Sequence, residues 1–258
     1  MIYLNGQPLP VTVFPDNTSQ VWKLNPNLTH GDREVFVRWT YSHEGEFLQL
    51  AQLKDLLDSQ NFIASLMLDY LPYGRQDKEI SNTTTFALRT FAKLLNTLGF
   101  DEVVIQDPHS EIALDLIVKS RAIYPKKVLE NVIFNSKITM ACYPDKGAVT
   151  KYSKVYKELI GDAYIYGEKV RDQLTGNITS YEIVGNPHGE NVLIVDDICD
   201  GGATFKLLAK DLLAAGAKSV ALFVTHGIFS RGVKTLLDAG ISKVYTRDGE
   251  MSATQDQK

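Results

Sequence analysis

Cysteine is nearly absent. The 258 residues hold two, Cys142 and Cys199, and neither belongs to a CxxC pair or another metal-type spacing, which argues against a disulfide framework and a cysteine zinc site. A reducing, cytoplasmic setting is expected. An excess of positive charge is also lacking: 27 Lys and Arg stand against 31 Asp and Glu, a formal charge of −4. No global positive field draws in nucleic acid. No apolar stretch is long enough to cross a bilayer, and MIYLNGQPLPVTVFPDN (1–17) has neither the basic start nor the apolar run of a secretory leader. A soluble protein with no membrane partner is the expectation. Low-complexity sequence is missing as well, and only the tail MSATQDQK (251–258) reads as disordered. The length suits one large domain or two of ordinary size, enough to bury apolar cores without an outside staple.

What is present is an alternation of short apolar runs with longer helical periodicities, the pattern of βα units around a parallel sheet. EVFVRW (34–39) reads as a strand, LQLAQLKDLLDS (48–59) as an amphipathic helix and FIASLMLDYLP (62–72) as a buried strand. TTFALRTFAKLLNTLG (84–99) predicts a helix stopped by Gly99, and DEVVIQD (101–107) the next strand. A second series follows: a strand within VIFNSKITMACYPD (132–145), a helix over SKVYKELIGD (153–162) and a strand over AYIYGEK (163–169). NVLIVDD (191–197), the helix ATFKLLAKDLLAAG (203–216) and SVALFVTHG (219–227) complete it. Acidic or His residues end strands in both series. The chain therefore reads as α/β with two similar lobes, each a doubly wound, mostly parallel sheet. The seam is expected near 119–130, dividing the chain into 1–124 and 125–258.

The strongest chemical signal is NVLIVDDICDGGATF (191–205). A β-branched apolar run drives a buried strand, Asp196 and Asp197 close it, Gly201 and Gly202 permit a tight turn, and Ala203 and Thr204 open a helix. Backbone N–H groups of such a turn and the positive end of the helix converge on one point, where a phosphate is favoured. Carboxylates beside a phosphate repel it unless they bind sugar hydroxyls or hold a cation. A ribose phosphate with Mg²⁺ satisfies both conditions.

This string resembles the phosphoribosyl-diphosphate motif shared by type I phosphoribosyltransferases and ribose-phosphate pyrophosphokinases, and other segments favour the second family. LPYGRQDKE (71–79) is similar to the pyrophosphokinase segment that binds ATP, which implies ATP contacts for Arg75, Gln76 and Asp77. QDPHS (106–110) resembles the segment whose His lies beside the metal and the ATP phosphates, giving that role to His109. YPDKG (143–147) is similar to one whose Asp helps hold a second metal, here Asp145, and GEKVRD (167–172) to a catalytic loop in which Lys169 and Arg171 would stabilise the transferring group. THGIFS (225–230) matches a further segment, and FPDNTSQ (14–20) faintly resembles the adenine-contacting one, implying Phe14 and Asp16. Taken singly these have ordinary readings: a solvated turn, a structural imidazole, surface charges. Their joint order is the family's.

The resemblance implies an ATP-contacting N-terminal lobe, a ribose-phosphate-binding C-terminal lobe, Mg²⁺ and a homo-oligomer. The implied reaction moves the β,γ-diphosphate of ATP to the C1 hydroxyl of ribose 5-phosphate, with Asp196, Asp197, Asp200, Gly201, Gly202, Ala203 and Thr204 holding the acceptor. The sequence departs from the pattern in three places. No leading strand and helix precede FPDNTSQ, EISNTTT follows Lys78 where a basic loop is usual, and Gly201 stands where the family carries Thr. The last departure removes a phosphate donor and opens room, so a 5′-extended ribose such as ADP-ribose is an alternative acceptor. Two other classes compete: a base-using phosphoribosyltransferase, which has no use for Arg75-Gln76-Asp77, and a non-catalytic associated subunit.

Overall fold

A computed structural model describes residues 1–22, 24, 33–161, 164–171 and 178–253. It divides into two compact units, Met1–Ile123 and Tyr124–Lys258. Unit 1 runs β1 (Ile2–Leu4), β2 (Gln7–Pro8), β3 (Val11–Val13), β4 (Ser19–Val21), β5 (Glu34–Trp39), α1 (Glu46–Ser59), β6 (Ile63–Leu68), α2 (Ala87–Thr97), β7 (Glu102–Gln106), α3 (Ile112–Leu116) and β8 (Ser120–Ile123). Unit 2 runs α4 (Lys126–Asn135), β9 (Met140–Tyr143), α5 (Lys146–Val155), α6 (Lys157–Ile160), β10 (Tyr164–Arg171), β11 (Ile178–Val184), β12 (Asn191–Cys199), α7 (Ala203–Ala214), β13 (Ser219–Gly227), α8 (Lys234–Leu237), β14 (Lys243–Thr246) and β15 (Gly249–Met251).

Among the described residues, unit 1 has a sheet ordered β2-β1-β5-β6-β7-β8, with β5 to β8 parallel and β1 antiparallel to β5. Trp39, Leu50, Leu66, Leu88 and Ile105 pack in its core. The strand predicted over 62–72 ends at Leu68 because Asp69 turns inward: it accepts from Arg38 Nε at 2.8 and 2.9 Å and from Thr40 Oγ1 at 2.6 Å. The helix predicted from residue 84 starts at Ala87, since the Thr84 hydroxyl closes a turn by accepting from the N–H groups of Ile80 and Ser81.

Unit 2 has a sheet ordered β11-β10-β9-β12-β13-β14-β15. Strands β10, β9, β12, β13 and β14 are parallel, and the edge strands β11 and β15 are antiparallel to their neighbours. Strand β12 explains its own composition. Val192 and Ile194 enter one core with Leu208 and Leu212 of α7, while Leu193 and Val195 enter the other with Tyr152 of α5. With helices on both faces, each alternate position needs an apolar side chain, and the strand reads as a continuous run.

Two expectations are corrected here. The helix read over 153–162 begins earlier, at Lys146, where Asp145 caps it, and breaks into α5 and α6 at Tyr156. The tail read as disordered from 251 includes Met251, which is in β15; residues 254–258 lie outside the described set.

Strand β12 passes into α7 through Gly202, whose φ of 72° is the left-handed region that disfavours a side chain. A Cβ there would stand 2.7 Å from Cδ2 of buried Leu236. Gly202→Ala is expected to destabilise the protein by about 1–3 kcal/mol, read as a lower urea midpoint at unchanged slope.

Candidate active site

The chain leaves β9 through α5 and α6 for β10 on one side, and leaves β12 through α7 for β13 on the other. Strands β9 and β12 are parallel neighbours, with Leu193 opposite Ala141 and Ile194 opposite Cys142. Their carboxyl ends therefore flank a topological switch point, where diverging connections leave a crevice in an open α/β sheet. Asp145 follows one end, and Asp196 and Asp197 lie near the end of the other, which runs on to Cys199 rather than closing at Asp197 as the sequence suggests.

Asp145 is engaged twice. Its Oδ1 accepts the Ala148 N–H at 3.0 Å, capping α5, and its Oδ2 accepts from Lys169 Nζ at 2.6 Å. Burial opposes its ionisation, but Lys169 and the Ala148 N–H outweigh that and hold the carboxyl below its ordinary value. Lys169 lies on β10, and Arg171 is two residues further along the same strand; the Arg171 side chain lies outside the described residues. The strand read over 163–169 thus runs on to Arg171, and the GEKVRD segment that the resemblance implied to be a loop is in one arm of a β10–β11 hairpin, in which Lys169 pairs with Tyr181.

Asp197 is buried, with Lys151 Nζ of α5 at 3.6 Å. Asp196 Oδ1 accepts the Asp197 N–H at 2.9 Å. Burial pushes the Asp196 carboxyl well above its ordinary value, and the Asp197 charge pushes it further. Beyond them, the Cys199 carbonyl accepts the N–H groups of Ile228 and Phe229 at 2.8 and 3.1 Å, which pins the THGIFS segment to the end of β12. Ser230 Oγ then donates to Asp200 Oδ1 at 2.6 Å. Gly201, Gly202, Ala203 and Thr204 form the turn and the first residues of α7, a set of backbone donors at a positive helix end.

Three side chains passed over in the sequence join this cluster. Lys151 counters Asp197; Arg231 approaches Gly201; Tyr181 faces Thr204. The Tyr181 hydroxyl is buried beside that of Thr204 at a geometry short of a hydrogen bond, and burial raises its pKa, with Lys169, Asp145 and Asp196 all within its field. A Cβ on Gly167 would stand 2.6 Å from Tyr181 Cδ1, so the hairpin closes on this ring. Only the strand pairing of Tyr181 with Lys169 marks it, and that pairing is not visible in the sequence.

Unit 1 gathers a second group. Tyr73 sits at a φ of 64° and its hydroxyl donates to Glu44 Oε1 at 2.5 Å, which fixes the start of the Arg75-Gln76-Asp77 segment. The Gln76 carbonyl accepts the Leu88 N–H at 3.2 Å, tying that segment to α2. A Cβ on Gly74 would stand 3.9 Å from His109 Cβ, so the two sequence-predicted segments are neighbours; Arg75, Gln76 and His109 are exposed. Phe14 and Asp16 lie apart from them on the β3–β4 hairpin. Asp16 accepts from the Thr18 hydroxyl and N–H at 2.7 and 3.0 Å, so its carboxylate serves the turn.

The raised Asp196 carboxyl gives a stability signature. An unfolded chain loses this proton near 3.8, whereas the folded protein keeps it to higher pH, so folding stability falls as pH rises above that value. Asp196→Asn is expected to raise the melting temperature of the ligand-free protein at neutral pH, and the difference should vanish below about pH 3.8. Melting curves of both proteins across that range check it.

The family model for a phosphoribosyl transferase domain matches residues 120–250. A ribose-phosphate pyrophosphokinase of Pyrococcus abyssi is 30% identical over 224 residues, 85% of this chain and 76% of the relative. That of Pyrococcus furiosus is 29% identical over 236 residues, 90% and 82%. Among solved structures, a phosphoribosylpyrophosphate synthetase from Mycobacterium smegmatis superposes with a TM-score of 0.77 over 93% of this chain and 79% of that one, at 23% identity. The acidic strand end and glycine turn at the switch point fit these likenesses, and the chain belongs to the ribose-phosphate pyrophosphokinase family and is a transferase.

Proposed function

We propose that the protein transfers the diphosphoryl group of ATP to the C1 hydroxyl of ribose 5-phosphate, giving 5-phosphoribosyl 1-diphosphate and AMP. The observation that carries this reading is the meeting, at one crevice, of a carboxylate pair, a glycine phosphate turn and the Asp145–Lys169 ion pair. A binding module for ribose phosphate needs the first two. The Asp145–Lys169 pair adds a cation that can also meet the charge developing on a transferring phosphoryl group.

In the reaction the C1 hydroxyl oxygen forms a bond to the β-phosphorus of ATP and gives up its proton to solvent, and the bond from that phosphorus to the α,β-bridging oxygen breaks, leaving AMP. Asp196 and Asp197 hold the sugar diol. Asp200 and the turn from Gly201 to Thr204 seat the phosphate. Lys169 and Arg171 stabilise the charge on the moving diphosphoryl group, and Arg75, Gln76, Asp77, His109, Phe14 and Asp16 contact ATP. On this reading unit 1 is the ATP-contacting lobe and unit 2 the ribose-phosphate lobe, and the protein works as a homo-oligomer. Positioning and charge stabilisation dominate such a transfer, and no general base is assigned.

Among the described residues no group of three or more His, Cys, Asp or Glu side chains is placed to hold a metal ion. Single carboxylates with hard oxygens suit Mg²⁺, which keeps several waters and takes the rest of its shell from substrate phosphates. Asp145 in unit 2 would help hold one such ion and His109 in unit 1 would lie beside another, and each ion would neutralise phosphate charge.

A second reading keeps the chemistry and changes the acceptor to a 5′-extended ribose such as ADP-ribose; it is favoured by Gly201, which carries no side chain over the phosphate turn. AMP release from Mg-ATP, measured with each acceptor, distinguishes the two, and silence with both would sink the enzymatic reading. In the same assay Lys169→Ala is expected to lower kcat by about 10²–10³-fold.

A further inference from the structure

The space over Gly201 has a neighbour. A Cβ built on Gly201 would stand 3.6 Å from both Cδ and Nε of Arg231 and 3.8 Å from Ser230 Oγ. The position of Arg231 is set by the residues just before it. The N–H groups of Ile228 and Phe229 donate to the Cys199 carbonyl, Phe229 turns the chain at a φ of 47°, and Ser230 bonds Asp200. Its side chain is exposed, and among the described residues it has no ion-pair partner. A guanidinium thus stands over the glycine turn that opens α7, a helix of 12 residues. Two positive elements face one another there, an arrangement that favours an anion between them.

We propose that Arg231 is a phosphate-binding, specificity-determining residue: its guanidinium takes the donor place that a hydroxyl side chain at 201 would fill, and grips the phosphoryl oxygens carried on C5 of the acceptor. A planar fork offers two parallel N–H donors to phosphate where a hydroxyl offers one. The glycine and the arginine are then one device. A Cβ at 201 would only touch the arginine in ordinary van der Waals contact, and the atoms of a longer side chain would share the space that the guanidinium occupies over the turn. The longer reach of Arg231 accepts phosphoryl oxygens farther from the ribose than a hydroxyl at 201 would. This inference rests on the acceptor reading above. The shared chemistry is a phosphoryl group on C5, either the terminal monoester of ribose 5-phosphate or the bridging diphosphate of ADP-ribose.

The test compares wild type, Arg231→Ala, Arg231→Lys and the exchange Gly201→Thr with Arg231→Gly, by AMP release from Mg-ATP with each acceptor. Calorimetric binding of ribose 5-phosphate and of ADP-ribose to the same proteins is measured in parallel. Arg231→Ala is expected to raise the acceptor KM about 10- to 100-fold with kcat and the KM for ATP nearly unchanged, and to weaken acceptor binding by the same factor. Arg231→Lys should keep part of the affinity, and the exchange should restore ribose 5-phosphate binding. The acceptor whose affinity falls more on Arg231→Ala identifies the phosphoryl group gripped. Unchanged acceptor KM and affinity in Arg231→Ala would overturn the role of Arg231 while leaving the transfer reaction standing. Absence of AMP release from wild type with either acceptor would instead overturn the reaction, and the calorimetric comparison would still decide whether Arg231 grips the phosphoryl group.

Discussion

The structure depends on one constraint, the placement of strand β12 between β9 and β13 with both faces buried. Its apolar run from Val192 to Val195 satisfies two cores at once, so its register cannot slip without moving apolar side chains out of both. That fixed register carries Asp196 and Asp197 to the carboxyl end of the sheet beside Asp145. The same constraint delivers the chain into the turn at Gly202, and from there into α7.

The crevice that results is electrostatically unfinished. Desolvation and the neighbouring Asp197 charge disfavour the ionised form of Asp196, while Lys151 stands at 3.6 Å from Asp197 and Lys169 at 2.6 Å from Asp145. Asp196 so placed weakens the ligand-free fold, whereas cations on α5 and on the β10–β11 hairpin stand against Asp197 and Asp145. On the proposed reading, sugar hydroxyls and a metal meet these carboxylates and a phosphate meets the glycine turn. Desolvated carboxylates of this kind cluster at functional positions, which is the reading proposed for this crevice.

The parts of this account legible in the sequence are those written by local rules. A buried parallel strand must read as a continuous apolar run and a left-handed turn as glycine, so NVLIVDDICDGGATF revealed both strand and turn. Helix α5 was missed at its start because KGAVTKY carries little apolar periodicity; its beginning is set by the Asp145 cap instead. The strand read over 163–169 includes Lys169, but its continuation to Arg171 was not legible, because its partner β11 lies across a hairpin. Tyr181, Lys151 and Arg231 were invisible for a related reason. Each meets the site through a contact between elements distant in sequence, and no periodicity or spacing encodes such a contact.

The central claim is that one crevice holds both the ribose diol and its phosphate. A crystal structure of the protein with ribose 5-phosphate tests it most directly. The account predicts the C2 and C3 hydroxyls on Asp196 and Asp197, the phosphate on the backbone N–H groups from Gly201 to Thr204, and the C1 hydroxyl facing Lys169. A sugar bound elsewhere, or one with its phosphate away from that turn, would contradict it.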